Sequence, residues 1–341
     1  MNGLTNWPQA VAAAHATGKD DHSENGVTVR RIRGGANNAL YRVDVEGQSF
    51  ACKLCIDDER QRAAREYGAL DLLHRAGLDL APRPLWLDES FRIFPVPAVA
   101  SSWLQGVPIG PALTMRQLAN LLETIQATHA VCPNRWSHSP LPAAWLHWFD
   151  FDRYLIEMQS LIDTYGLWLM ASDREGAALI ERMQRVLARC AQIVAKTDVN
   201  PDYDHVPLCL CHVDPNLANA IWCDDDRLRW VDWEYSGWGD PALALADLRW
   251  HAALEGLTDE QHAWLRENYR RPDDDPAFDE RLRVWDCILA TRWPLLIVRL
   301  LWSQHNGPDR PRLSQPAVEL AEVRERFVRF IRRAEEHLDW S

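Results

Sequence analysis

The chain has 341 residues, 47% of them apolar, and a net charge of −12, which is the composition of a globular protein with a sizeable core and about two domains. The excess of carboxylates excludes a face built to neutralise nucleic-acid phosphates, and no run approaches the roughly 18 apolar residues that cross a bilayer. No basic segment leads an apolar one near Met1 and the eight cysteines are scattered, so the sequence predicts a soluble, cytoplasmic protein with reduced thiols.

In chain order, residues 1–25 read as a leader helix or a flexible segment. Residues 27–103 read as strands, with period-two alternation in Val27-Thr28-Val29, in Leu40-Tyr41-Arg42-Val43-Asp44-Val45 and in Ser49-Phe50-Ala51-Cys52-Lys53-Leu54. Gly34-Gly35 and Glu46-Gly47 punctuate them. One helix interrupts this half: Ala63, Tyr67, Leu70 and Leu73 share a face, and Gly77 stands where a C-terminal cap belongs. Pro82-Arg83-Pro84 then forces an extended segment. Thr114 with Gln117 matches a capping box, ahead of Leu118, Leu121, Leu122 and Ile125 on one face. Further helical patterns run through 154–162, 176–194, 284–301 and 318–338, around a strand-like island at 206–232. A β-rich first half and a mainly helical second half predict an α+β fold of two lobes. The division falls at 101/102, giving a first lobe of 1–101 and a second of 102–341.

The stretch that carries chemistry holds His212-Val-Asp214 and, five residues after the Asp, Asn219. H-x-D-x-x-x-x-N is the spacing of a phosphoryl-transfer catalytic loop. In such a loop the Asp accepts or orients the proton of an attacking hydroxyl, and the Asn returns to hold a metal on the phosphates. Asp232 follows thirteen residues after Asn219, at the end of Leu228-Arg-Trp-Val-Asp, where a carboxylate leaving a strand can bridge Mg²⁺ and a triphosphate. Gly34, Gly35, Ala36, Asn37 and Asn38 form a turn between two strands whose N–H groups and amides can cover phosphates. Lys53 lies on the next strand, and Glu66, on the helix after it, is placed to hold that lysine toward the α- and β-phosphates.

In this order and spacing the residues resemble the aminoglycoside phosphotransferase and choline kinase-like family of small-molecule kinases, which has the bilobal protein-kinase-like fold. The resemblance also rests on Val231-Asp232-Trp233-Glu234, Gly239-Asp240-Pro241, Ala81-Pro82-Arg83-Pro84 and the hinge-like Trp103-Leu104-Gln105-Gly106. It implies an ATP- and Mg²⁺-dependent phosphotransferase acting on a hydroxyl of a small, cationic molecule. Asp214 would be the catalytic base, Asn219 and Asp232 the Mg²⁺ ligands, and Lys53 with Glu66 the phosphate clamp. His212 would brace the loop. Adenine would lie under Ala51 against the hinge at Trp103 and Leu104. Acceptor contacts would come from Asp150, Asp152, Glu157, Glu234, Asp286, Trp293 and Trp302. Neither a nucleic-acid nor a membrane partner is implied.

Three positions depart from the family pattern. Val213 stands where the family usually has Gly, Pro215 where it often has Leu or Phe, and Ala244 where an Asp usually anchors the loop, the nearest carboxylate being Asp247. The alternatives are a choline- or ethanolamine-type kinase, or a nucleotide-binding pseudokinase with a regulatory role. A protein kinase is excluded by length, since the few residues between Asp232 and Asp240 leave no room for an activation segment. Cys52-x-x-Cys55 has zinc-like spacing, but strand alternation sends the two thiols to opposite faces. Most of the seventeen tryptophans fill a helical core in this reading, though an indole face also attracts amines.

Overall fold

The computed structural model describes residues 6–33, 37–136, 139, 141–199, 205–272, 274–307, 313 and 320–339. It is a mixed α+β structure that divides into two compact units. The first takes residues 1–145, 212–238 and 310–316, and the second takes 146–211, 239–309 and 317–341. Unit 1 also takes residues 102–145, 212–238 and 310–316, which the sequence reading assigned to the second lobe.

Unit 1 opens with α1 (Trp7–Thr17) and a six-stranded antiparallel sheet. Its strands are β1 (Asp21–Glu24), β2 (Val27–Ile32), β3 (Ala39–Val45), β4 (Gln48–Leu54), β5 (Pro84–Asp88) and β6 (Ala98–Ser102), in spatial order β1-β2-β3-β4-β6-β5. Two hairpins fix the register. Asn25-Gly26 joins β1 to β2 and Glu46-Gly47 joins β3 to β4, and all four residues have positive φ. That is the backbone of two-residue turns whose twist matches the strands. β1 is absent from the sequence reading, although Asn25-Gly26 is the local signal for it.

Alternation along β4 sends Phe50, Cys52 and Leu54 into an apolar cluster with Tyr41, Val43, Trp7, Val11 and Ala14. The segment before residue 25 is therefore no detached leader: the Trp7 ring meets Phe50 edge-on at 4.8 Å and Trp86 at 5.1 Å. Lys53 emerges on the opposite face of β4. Cys55 belongs to a separate small cluster with Ala63 and Val99, so Cys52 and Cys55 do not converge.

α2 (Arg62–Arg75) follows β4. It ends as the sequence predicts: Gly77 has φ +71°, its N–H reaches the His74 carbonyl, and the Leu78 N–H reaches Leu73. These are the two bonds of a Schellman cap. β7 (Gly106–Pro108) leads to α3 (Met115–His129), which starts with the Thr114–Gln117 capping box. β7 also pairs with Ala220–Cys223, and that strand with Leu228–Trp230. A Cβ at Gly106 would lie 2.3 Å from the Trp222 carbonyl oxygen, so only glycine fits there.

Unit 2 is helical: α4 (Phe151–Ser172), α5 (Gly176–Val194), α6 (Pro241–Trp250), α7 (Asp259–Asn268), α8 (Phe278–Asn306) and α9 (Leu320–Asp339). A fully buried carboxylate organises it. Asp240 caps α6 by accepting from the Ala242 N–H at 2.8 Å, and it also receives the Trp285 indole N–H at 2.8 Å and the Arg281 guanidinium at 3.0 Å. Arg281 is completed by Asp275 at 2.6 Å. Among the described residues no helix is long and apolar enough to cross a membrane.

Candidate active site

The segment from His212 to Asn219 belongs to unit 1, where Lys53, Glu66, Asp214, Asn219 and Asp232 are gathered. β4 delivers Lys53 and α2 delivers Glu66, whose carboxylate accepts from the Lys53 ammonium at 2.6 Å. Asp232, just past the strand Leu228–Trp230, takes a second bond from the same ammonium. Its φ of +64° is a left-handed conformation that Asp tolerates better than most side chains. Glu234 lies 3.3 Å from the ammonium on a third side.

Burial works against the Lys53 charge, but Asp232, Glu66 and Glu234 outweigh it and hold the ammonium well above the usual lysine range. Burial pushes Glu66 up, with the Lys53 charge opposing it. Asp232 is held below the ordinary carboxylate range because Lys53 overcomes the cost of its burial. One buried cation thus organises three carboxylates, a charge arrangement that is stable only while every member keeps its partners.

Asp214 and Asn219 face each other across the loop. The Asn219 amide donates to one Asp214 carboxylate oxygen at 3.1 Å, and the Asn216 N–H to the other at 3.3 Å. Burial, reinforced by the Asp232 charge, pushes Asp214 up to about 7. A carboxylate with that affinity for protons is suited to general-base work near neutral pH. The Asn219 amide spends its N–H₂ on Asp214 and keeps its oxygen for another partner. That oxygen and the Asp232 carboxylate are hard oxygen donors of the kind Mg²⁺ takes.

His212 occupies a different niche. Its Nε2 is 2.9 Å from the Val231 carbonyl, and its ring packs between Trp230 and Trp233 at 4.8 and 4.6 Å. Burial lowers it to about 4, so it stays neutral at physiological pH and ties the loop to the segment leading into Asp232. Val213, next to it, has φ +74°, a conformation costly for a β-branched residue. This is the position where the family pattern has Gly. Val213→Gly should therefore stabilise the fold by about 1 kcal/mol, the relief of left-handed strain exceeding the entropy cost of glycine. A urea midpoint that falls instead of rising would show the strain to be absent.

Three sequence expectations need correcting. Glu234, expected at the acceptor, is 1% exposed. Its carboxylate is bonded to the Arg62 guanidinium and the Asn38 amide, behind Lys53. Asn38, expected to cover phosphates, points inward and also accepts the Ile56 N–H at 3.2 Å. Asp286, expected at the acceptor, is buried in unit 2 between the Trp250 indole N–H at 3.1 Å and Arg266 at 2.6 Å.

The remaining candidates divide by unit. In unit 1, Asn37 is half-buried and its carbonyl accepts the Leu313 N–H at 2.7 Å. Ala51 pairs with Ser101, and Leu104 is half-buried. The Trp103 ring lies under Arg42 at 5.0 Å. Gly34 and Gly35 lie outside the described residues. In unit 2, Asp150 caps α4 by accepting the Arg153 N–H, and Asp152 is exposed in its first turn. Glu157 is bound by Arg292 at 2.6 Å. Trp302 packs on Tyr165 at 5.5 Å, and Trp293 donates to Asp247 at 3.0 Å while its ring meets His251 at 4.3 Å.

Sequence reasoning missed Arg62. The signal was present: Arg62 and Glu66 are four apart on α2 and share a face, so whatever faces Glu66 is within reach of Arg62. It also missed Arg60, whose guanidinium donates to the Tyr235 hydroxyl at 2.8 Å, and Arg65, which is spent on the carbonyls of Ala143 and Ser236.

The chain matches the phosphotransferase enzyme family over residues 28–278. No match was found among curated protein sequences. Solved structures share the fold at low identity. A protein from Ralstonia eutropha JMP134 assigned as an aminoglycoside phosphotransferase aligns with TM-score 0.65 and 15% identity, over 97% of this chain and 98% of its own. Spectinomycin phosphotransferase, solved with ADP and spectinomycin, gives 0.63 and 15% over 91% and 93%. A choline kinase from Streptococcus pneumoniae gives 0.57 and 17% over 99% and 100%. At these identities the likeness shows a common fold.

Proposed function

Since the chain belongs to the phosphotransferase enzyme family and is a phosphotransferase acting on hydroxyl groups of small molecules, we propose that its donor is Mg·ATP and its acceptor a small cationic alcohol of the aminoglycoside type. The observation that carries this reading is the Lys53 ammonium held between Glu66 and Asp232, with the Asp214–Asn219 pair on the adjoining loop.

Asp214 takes the acceptor proton, its raised proton affinity supplying the driving force at neutral pH. Asn219, fixed by its bond to Asp214, turns its amide oxygen toward the phosphates. Asp232 and Asn219 would hold Mg²⁺, which when bound neutralises charge on the phosphate oxygens. Lys53 is aimed by Glu66 and contributes its charge to the α- and β-phosphates. The residues act mainly by positioning and by fixed charge. A net charge of −12 favours encounter with a cationic acceptor.

The test couples two measurements. Calorimetric titration with ATP should show binding that depends on Mg²⁺, and an ADP-release assay across aminoglycosides, choline, ethanolamine, amino alcohols and neutral sugars should show turnover on an aminoglycoside. Turnover confined to choline or ethanolamine would replace the acceptor assignment. ATP binding indifferent to Mg²⁺, with no turnover on any acceptor, would defeat the catalytic reading.

A further inference from the structure

Unit 2 contains a cavity of about 610 Å³ enclosed by the C-terminal end of α6, by α7, by the start of α8 and by the end of α9. Its floor is apolar: Leu245, Leu248, Leu265 and Leu282 are all buried. Its wall is cationic, and Arg249 and Arg333 both place their guanidinium carbon 5.2 Å from the Trp250 ring centroid. None of these residues is used in the reaction proposed above.

Among the described residues, neither arginine has a carboxylate counter-ion within reach. Several partly or fully buried guanidinium groups of unit 2 are matched to carboxylates: Arg182 to Glu335, Arg281 to Asp240 and Asp275, Arg292 to Glu157, Arg326 to Glu255. Among the described residues no carboxylate comes within ion-pair distance of Arg249 or Arg333. Asp259 and Glu336 line the same cavity, but Glu336 is engaged by Arg332 at 3.7 Å, and Arg266 is already paired with Asp286. Among the described residues the Arg333 guanidinium has one polar partner, the Arg249 carbonyl at 3.2 Å. Burial lowers its proton affinity; Glu255, Asp259 and Glu336 oppose that from a distance, and the Arg249 charge adds to it, so the net direction is down. Two like charges on one aromatic ring, over an apolar floor, form half of an ion-binding site. The volume is that of a pocket for a small organic molecule.

We propose that this cavity is a binding site for a small organic oxyanion, a carboxylate or phosphate carried on an apolar body. The anionic group is held by Arg249 and Arg333, and the apolar body lies on the leucine floor. His262 and His337, on the wall, add polar ring nitrogens that direct the anionic end. Binding at this site needs no nucleotide.

The experiment is a calorimetric and NMR titration of the full chain, without nucleotide or Mg²⁺, using benzoate, phenyl phosphate and inorganic phosphate as probes. The expected result is saturable binding of benzoate or phenyl phosphate below about 10 mM, with inorganic phosphate weaker because it leaves the floor uncovered. The stronger of the two aromatic probes identifies the anionic group. Arg333→Gln and Arg249→Gln should each weaken binding at least tenfold, whereas Arg185→Gln, on the exposed face of α5, should leave it unchanged. If either cavity variant fails to fold, the other and Arg333→Lys, which keeps the charge without the planar fork, carry the comparison. Absence of saturable binding by every probe overturns the proposal. So does binding that neither arginine substitution weakens. Because the readout contains no ATP and no acceptor, failure here is distinguishable from failure of the proposed phosphotransfer.

Discussion

Asp214→Asn should slow phosphotransfer by about 10²–10⁴-fold while leaving the proposed Mg-dependent nucleotide binding in place, since in the proposed mechanism it removes the general base and keeps the shape of the loop. The same substitution should also raise stability, and in a pH-dependent way. Burial, reinforced by the Asp232 charge, pushes the folded Asp214 carboxyl up to about 7 from its ordinary value of 3.8. Ionising it costs folding free energy that is absent below pH 3.8 and complete above about pH 7. Asn carries no such cost. The melting temperature of the variant relative to the parent should therefore climb as pH rises from about 4 to about 7 and then level off. Thermal unfolding across that range, together with the ADP-release assay, checks both halves. Equal activity in the variant would remove Asp214 from the reaction, and a pH-independent melting difference would remove burial as the source of its proton affinity. A base held at the expense of stability is a common feature of catalytic sites.

Glu234→Ala should cost about 3 kcal/mol of folding stability or more, read as a lowered urea midpoint. The side chains of Arg62 and Glu234 are both 2% exposed, and Glu234 also bonds Asn38 and faces Lys53. Among the described residues, removing the carboxylate leaves the Arg62 guanidinium with Asp58, at 3.2 Å, as its remaining carboxylate. Removing both ends at once, in Arg62→Met with Glu234→Met, should restore part of the loss, because an apolar pair of similar volume avoids the unpaired buried charge. A carboxylate that contacted the acceptor would behave in the opposite way, with stability unchanged and KM for the acceptor raised. That contrast decides between the geometry described here and the role expected from sequence.

The α+β class was readable because strand alternation and helical periodicity change clearly near residue 103, and because caps such as Thr114–Gln117 and Gly77 mark helix ends locally. Lys53, Glu66, Asp214, Asn219 and Asp232 could be named together because their spacing is a property of the chain, and the structure brings all five into one unit. What failed were inferences about which way a carboxylate faces. Glu234 sits in a motif, yet its partner Arg62 is 172 residues away, and no local pattern announces that pairing. Asp286 resembled a free acid on a helix until Trp250 and Arg266 were seen to enclose it. β1 was missed for a different reason: Asp21-His-Ser-Glu24 has no apolar alternation, and only the turn chemistry of Asn25-Gly26 reveals it. Arg249 and Arg333 were invisible as a pair because they come from helices more than eighty residues apart.

The composition of unit 1 bears on how the protein is made. Its sheet is finished by residue 102, but the segment that carries Asp214, Asn219 and Asp232 lies beyond a stretch, 146–211, that belongs to the other unit. A ribosome adding about 5–20 residues per second must therefore run several more seconds after the last strand of the sheet before the Lys53 ammonium can meet Asp232. During that interval Lys53 and Arg62 are committed to a half-built charge cluster, with Glu66 and Asp58 as their nearest counter-ions. Chains truncated near residue 145 would carry that imbalance permanently, and quality-control proteases should clear them faster than chains that extend past residue 238.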